Sequence, residues 1–421
     1  MSNEFSKEER VAFEDLLEGF DDALVLSRAG SKYRVGDSQM ERSGDVIWRP
    51  QPYIATSFDG MDQTGNFRTY TQLSVPATLG YEKGVPWVMD AKELRDALQE
   101  GRLGQAAKQR LASDINVAIM NVAAQQGTLV VARSTAASGY DDLAQCDALM
   151  NEQGIMMDMR YAALSSRDYN GMASNLAARE TMNQKPIAAY ERSYVGTVAG
   201  FDTYKMDYAN RIAAAGGGGG LTIDTQVGAG NYYIPQATST AATGERGNVD
   251  NRYQTVTISS TTGVVAGDCF TIAGVEAVHH ITKNSTGQLK TFRVISVDSA
   301  TTMTISPPIV SAQGGSDAEE SYQNVEVTPS GTASIVFLNT QAGYINPFWH
   351  EDALELIPGR YAVTTGSGAA VMRATTDQGI DVVFTKFFDI KTYKTLYRLD
   401  TLFGVVNKQP EMSGILLFSQ T

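Results

Sequence analysis

Residues 90–127 read DAKELRDALQEGRLGQAAKQRLASDINVAIMNVAAQQG. Leu103, Ala107, Leu111, Ile115, Ile119 and Val122 recur at steps of four and three, the spacing of one apolar stripe on a helix. Lys108, Gln109, Arg110, Asp114, Asn116 and Asn121 fill the other faces. Asp90 with Glu93 reads as an N-terminal capping box, Gly127 stands where a C-terminal glycine belongs, and Gly101 and Gly104 break or bend the run early. A continuous second part through Gln126 spans about 24 residues, roughly 36 Å. Such a helix is either the core helix of an α+β protein or a spine on which a flat, extended subunit hangs.

The chain around it has 421 residues, 43% hydrophobic and 19% charged, which suits more than one folded domain. Its formal net charge of −13 lacks the positive field that phosphate neutralisation requires, so general electrostatic binding of nucleic acid is excluded. Lying beside nucleic acid is not. Cys146 and Cys269 are the only cysteines and have no CxxC spacing, so neither a metal knuckle nor a disulfide framework is expected, and a reducing compartment is. The first residues, MSNEFSKEER, hold no hydrophobic signal core, and no apolar run approaches the length of a membrane span.

Upstream, Phe13, Leu16, Leu17, Phe20 and Leu24 form a helical stripe within Phe5–Leu26, with Glu14, Asp15, Glu18, Asp21 and Asp22 off it. This acidic arm is either a solvated surface helix or a docking face for a basic partner helix. Residues 44–80 read as an extended ribbon with two prolines in GDVIWRPQPYIAT, turns at Asp59-Gly60 and Thr64-Gly65, and a return strand at 70–79. Downstream, a strand is expected at Leu129–Ala132, a helix at Tyr140–Gln153, a strand at Tyr161–Leu164 running into a helix at Ser166–Met172, and extended chain at Tyr194–Met206 with Gly200 as a turn.

Five glycines at 216–220 read as a linker or hinge. Beyond them, residues 221–339 carry strand patterns at 253–260, 268–274, 290–299, 301–309 and 333–339, separated by glycine turns: an inserted all-β domain, a small barrel. Helical character is expected to return at 346–358 (NPFWHEDALELIP), and the last strands at 379–390 and 395–407.

Motifs for chemistry are sparse. There is no GxxxxGK[ST], and the glycine run lacks the Lys-Ser/Thr of a phosphate loop. His279, His280 and His350 are the only histidines; the adjacent pair on a strand would point to opposite faces and share no metal, and His350 sits where a helix start is expected. HExxH and GxSxG are absent, and the paired acids lie in surface-like stretches. No catalytic residue, metal or cofactor is assigned, and an interaction protein fits better than an enzyme.

Several stretches in order resemble one family: MERSGDVIWRP at 40–50, VDNRYQTVTISSTTG at 249–263 followed by GD and IAGV, NPFWHEDAL at 346–354, FEDLLEG at 13–19, SKY at 31–33, AAKQRLASDINVAIMNVAAQQGTLVV at 106–131 and AGFD at 199–202. Along essentially the whole chain they resemble the coat protein of the P22-like tailed phages. The resemblance implies an HK97-like capsid fold of class α+β. Its parts would be an N-terminal arm (1–35), an E-loop region (36–90), the spine helix of the P-domain (91–127), a first P/A-domain part (128–220), an inserted β-barrel I-domain (221–340) and a second A/P-domain part (341–421). It implies copies joined in hexamers and pentamers, a scaffolding protein, a portal protein, and enclosed double-stranded DNA held without specific binding. Glu14, Asp15 and Glu18 match the family's scaffold-binding acids. The loop between Tyr233 and Asp250 stands where the family makes an inter-capsomer contact; its charges are Glu245, Arg246 and Asp250, fewer acids than the family pattern. A glycan-binding virion protein built on the β block, or an encapsulin-like compartment, are the competing readings; the acidic arm argues against the second.

Overall fold

The computed structural model describes residues 4–33, 46–51, 57–67, 73–90, 93, 104–178, 196–217, 219–224, 250–313, 317–361, 368–376 and 379–420. The chain forms two compact units: residues 1–47, 77–119 and 355–406, and residues 48–76, 120–354 and 407–421. The class is mixed α+β and strand-rich, as the sequence implied.

In the first unit, helix α1 (Lys7–Ala23) opens on a reciprocal cap: the Ser6 N–H donates to Glu9 Oε2 at 2.8 Å and the Glu9 N–H to Ser6 Oγ at 3.2 Å. Phe13, Leu16 and Phe20 bury its inner face. The unit's sheet runs in the order Ser31–Lys32, Leu354–Pro358, Lys394–Asn407, Asp381–Asp389, Ala370–Thr375, with Tyr81–Asp90 also on Lys394–Asn407. Tyr81–Asp90 was not anticipated as a strand. Its exposure alternates along all ten residues, and it pairs with Lys394–Phe403 throughout.

The long helix is α2, Gln105–Gln126, 22 residues and about 33 Å. Leu103 lies outside the described residues. The capping reading of Asp90 and Glu93 survives as one hydrogen bond, Asp90 N–H to the Glu93 carboxylate at 3.1 Å, but Asp90 itself ends a strand. Gly104, at φ +78°, precedes the helix and accepts the Lys108 N–H; a Cβ there would sit 2.6 Å from Leu16. The expected stripe is buried, and so are Ala112, Ala118, Met120, Ala123 and Ala124 off it. Small residues let this helix be packed on more than one face, which a polar-versus-apolar count understates.

The second unit holds a six-stranded sheet in the order Leu129–Ala132, Ser413–Leu417, Asn346–His350, Arg160–Ser165, Phe201–Met206, Thr197–Val198. Helices α3 (Tyr140–Glu152) and α4 (Ser166–Ala178) close its core through Leu143, Cys146, Met150, Tyr169 and Met172 against Leu164, Phe201 and Phe348. A separate antiparallel sheet has the order Gln254–Thr257, Thr302–Ser306, Ser285–Val297, Cys269–Val278, Ile335–Phe337, with its own core around Phe270, Phe292, Val294 and Met303. A two-stranded ribbon pairs Val46–Pro50 with Ser74–Thr78. One short helix, α5 (Asp317–Tyr322), was not anticipated.

Three expectations need correction. Residues 346–358 are not helical: Asn346–His350 is a strand between two others with all five residues buried, and Leu354–Pro358 is a second strand. A short apolar run buried on both faces has no alternation to distinguish it from a helix. His279 and His280 lie beyond the strand that ends at Val278; the His279 ring accepts the Ile281 and Thr282 N–H groups and shapes the turn. The first two glycines of the run are packed rather than open, since a Cβ on Gly217 would lie 2.5 Å from the Phe337 ring and one on Gly216 would lie 2.9 Å from the Gly263 carbonyl, whereas Gly219 and Gly220 have open space around them. Glycine is required at Gly216 and Gly217 by close approach.

The two chain crossings into and out of the β block are tied by one side chain. Asn339, fully buried, accepts the Cys269 N–H (3.0 Å) and donates to the Ala213 carbonyl (3.0 Å) and the Asp268 carboxylate (2.9 Å), while the Ala215 N–H meets the Asn339 carbonyl at 2.8 Å. Removing it orphans the buried Cys269 N–H and one buried oxygen of Asp268. Asn339→Ala is therefore expected to lower unfolding stability by about 3 kcal/mol, summing the penalties for the stranded partners; a urea midpoint within error of wild type would contradict this.

Candidate functional site

A chain with no chemical motif is read through its surfaces and the contacts that hold them in place. The arm helix sorts its carboxylates by direction. Glu9 points inward and is 1% exposed; Glu14 and Asp15, one turn further, are exposed. Glu18 lies in the same helix, and its side chain is outside the described set.

Glu9 takes two hydrogen bonds from Lys386 Nζ, at 2.7 and 2.8 Å, and one from the Tyr397 hydroxyl at 2.7 Å. Burial pushes its carboxyl up, but the Lys386 hydrogen bond, the Ser6 N–H, the Tyr397 hydroxyl and the Lys386 charge outweigh that and hold it below the usual carboxylate range. Burial, then the hydrogen bond to Glu9, push the Tyr397 hydroxyl well up. Around this polar centre Phe5 and Phe13 stack on Phe384, at 5.5 and 5.7 Å between centroids, and Trp87 stacks on Phe384 and Tyr397. Sequence reasoning missed Glu9, Lys386 and Tyr397. The Ser6–Glu9 capping signature was legible, but not the partners nearly four hundred residues away.

A second polar cluster joins the antiparallel sheet to the rest of its own unit. Lys290, 2% exposed, meets Glu411 at 2.6 Å; Thr291 Oγ1 donates to the Thr128 carbonyl at 2.7 Å and Arg293 Nη1 to the Gly127 carbonyl at 3.2 Å, at the C-terminal end of α2 where cations are favoured. His280 donates its backbone N–H to Gln153. Burial, then the charge of Lys283, lower the His280 pKa to about 4. Burial lowers that of Lys283 to about 8. Burial raises Glu411, but Lys290 prevails and the net direction is down.

Of the loop residues singled out, Glu245 and Arg246 lie outside the described set. Asp250 is gripped by Arg252 of its own chain, through Nε at 2.9 Å and Nη2 at 2.7 Å, and Arg252 also donates to the Asn407 carbonyl at 3.0 Å. His350 is a strand residue, 3% exposed, whose Nδ1 accepts the Asp352 N–H at 3.2 Å. Among the described residues no three His, Cys, Asp or Glu side chains are grouped to hold a metal, and no helix is long and apolar enough to cross a membrane.

Residues 1–419 match the model of the family described as P22 coat protein, gene protein 5. The chain belongs to the P22 coat protein family. It serves as the major capsid protein of a tailed phage, and copies of it assemble into the virion shell. The family's members are structural coat proteins rather than enzymes. Among solved structures, the chain is similar to one from Mycobacterium phage Che8 (10% identity, covering 93% of this chain and 90% of that one, TM-score 0.42). It is also similar to the capsid of cyanophage P-SCSP1u (10%, covering 94% and 89%, TM-score 0.43). The CUS-3 coat protein I-domain matches at 40% identity over 30% of this chain and 99% of that one, with a TM-score of 0.24. The family match alone carries the assignment.

Two measurements test the clusters. Because the folded value of Glu9 is lowered, its contribution is present above the ordinary value of 4.5 and is lost as pH falls through the folded value. Glu9→Gln is expected to weaken arm docking at pH 7 by roughly 1–3 kcal/mol and to remove its acid sensitivity; hydrogen exchange across residues 7–23 reads this, and unchanged protection would contradict it. His280 stays neutral when folded down to about 4 but binds a proton below 6.5 when unfolded. Stability of its unit is thus expected to decline as pH falls from 6.5 to about 4, and His280→Gln to flatten that part of the urea-midpoint curve.

Proposed function

We propose that copies of this chain form the hexamers and pentamers of an icosahedral shell, closed over a scaffolding protein, fitted with a portal and filled with double-stranded DNA, in the arrangement of the HK97-like fold. The observation that carries the scaffold part is the division of carboxylates on α1: Glu9 holds the helix down while Glu14 and Asp15 face outward. Glu18 follows Glu14 by four residues in the sequence. Exposed acids on a helix fixed from beneath make a surface suited to a basic helical partner.

The remaining parts of the reading follow the chain. The ribbon around 46–78 is the E-loop, and the full exposure of Met61 and Phe67 near its tip fits a strap that covers a neighbour. Helix α2 is the spine of the P-domain. The antiparallel sheet with its own core, entered and left at Ala215 and Asn339, is the I-domain. The loop ending at Asp250 reaches a neighbouring capsomer with Glu245 and Arg246, and Asp250, held by Arg252, anchors its base. The net charge of −13 suits a container that encloses DNA without gripping it, assembled in the host cytoplasm before packaging. Rigid parts then shift against one another as the precursor expands.

Replacing Glu14, Asp15 and Glu18 together by Lys is expected to abolish scaffold-dependent shell closure while the circular-dichroism spectrum and unfolding midpoint stay those of wild type. Normal scaffold uptake by the folded triple variant refutes the docking site.

A further inference from the structure

Between α3 and strand Arg160–Ser165 the chain exposes three methionines in four residues: Met156 (59% exposed), Met157 (73%) and Met159 (59%). Their backbone is not a loose loop. The Arg160 guanidinium, 1% exposed, donates through Nε to the Met156 carbonyl (2.8 Å), through Nη2 to the Ile155 carbonyl (2.7 Å) and Asn151 Oδ1 (2.8 Å), and through Nη1 to the Asp147 carboxylate. The Glu351 N–H donates to the Met159 carbonyl at 3.0 Å, and Met159 is held at φ +49°. A buried cation with its donors committed to this turn, and a left-handed non-glycine residue, fix a small apolar knob facing water. Methionine suits such a surface because its unbranched, polarisable side chain adapts to what covers it.

The knob's charge says what covers it. Asp158, at its tip, is 70% exposed, and Asp352 beside it is 56% exposed. An acidic rim repels phosphate polymers and anionic membranes and calls for a cationic partner surface. This chain supplies one. The strand that begins at the knob runs parallel to Phe201–Met206, so both strands finish at the opposite end, about 20 Å away. There Arg167, Lys205 and Asp207 are exposed, two cations against one acid, with Tyr208 40% exposed beside them. Lys205 Nζ is positioned by Asn170 Oδ1 at 2.9 Å and lies 5.8 Å over the Tyr169 ring. One strand pair thus carries an acidic apolar knob at one end and a basic aromatic seat at the other. Knob-to-knob packing would bring the Asp158 carboxylates together, whereas head-to-tail packing pairs unlike charges and generates a ring.

We propose that neighbouring copies within a ring meet head to tail here, Met156, Met157, Asp158 and Met159 of one copy seating on Arg167, Lys205 and Tyr208 of the next. The proposal rests on the shell-forming reading above. It is tested by purifying Asp158→Lys, Lys205→Asp and the double variant, with fold checked by circular dichroism, and measuring shell yield by sedimentation and electron microscopy. Each single reversal is expected to cut shell yield at least tenfold, and the double reversal to restore most of it. Singles that assemble like wild type, or a double variant no better than the singles, overturn the contact. A second readout needs no variant: peroxide oxidation of the three methionines is expected to be at least tenfold slower in wild-type shells than in free subunits, and equal rates overturn the contact. If the unaltered chain forms no shells under any condition, the shell reading itself falls, an outcome distinct from normal shells with indifferent variants.

Discussion

A carboxylate at residue 9 lies between a lysine and a tyrosine that the chain reaches only after more than 370 further residues. Burying a carboxylate is unfavourable by several kcal/mol in ordinary cases, and a paired ammonium offsets that only when the geometry is close and the remaining lone pairs are used. Here they are used: lysine, tyrosine and a backbone N–H all converge on one group. The aromatic stack of Phe5, Phe13, Phe384, Trp87 and Tyr397 excludes water around it. The N-terminal helix is therefore held as part of its unit rather than trailing from it. Its outward acids depend on that one inward acid.

The same principle recurs elsewhere in the molecule. Buried polar side chains sit where one segment must be held against another: Asn339 at the crossings of the β block, Lys290 with Glu411 at its joint, Arg252 with Asp250 at the base of a loop, Arg160 beneath a turn of methionines. Apolar packing fills each core without specifying such geometry, whereas hydrogen-bonded charges tolerate few alternatives. A shell subunit needs that specificity. Its neighbours are copies of itself, and the same contact recurs around the shell only if the presented surfaces do not drift.

Much of this fold could be read from the residues. The stripe in 105–126, the strand patterns between 254 and 337, and the helix at Tyr140–Glu152 all stand within a few residues of their expected places, because amphipathic or alternating order is written locally. The misses have separate causes. NPFWH, expected to be helical, is a short run buried on both faces, and nothing in its order separates strand from helix. The start of the glycine run looked open because composition cannot reveal that Gly263 lies against Gly216 and Phe337 against Gly217. The outward Glu14 and Asp15 of the arm were legible as charges off a stripe, but nothing in the sequence set Glu9 apart. Its role depends on Lys386 and Tyr397, a juxtaposition that only the folded chain creates.

The central claim is that this molecule is a tile, completed by other copies of itself. It is tested most directly by sedimentation and negative-stain electron microscopy of the purified chain over a concentration series, alone and with a co-expressed basic scaffold. The account expects closed shells to appear above a threshold concentration and the threshold to fall when scaffold is present. Single compact molecules at every concentration, with or without the partner, would contradict it.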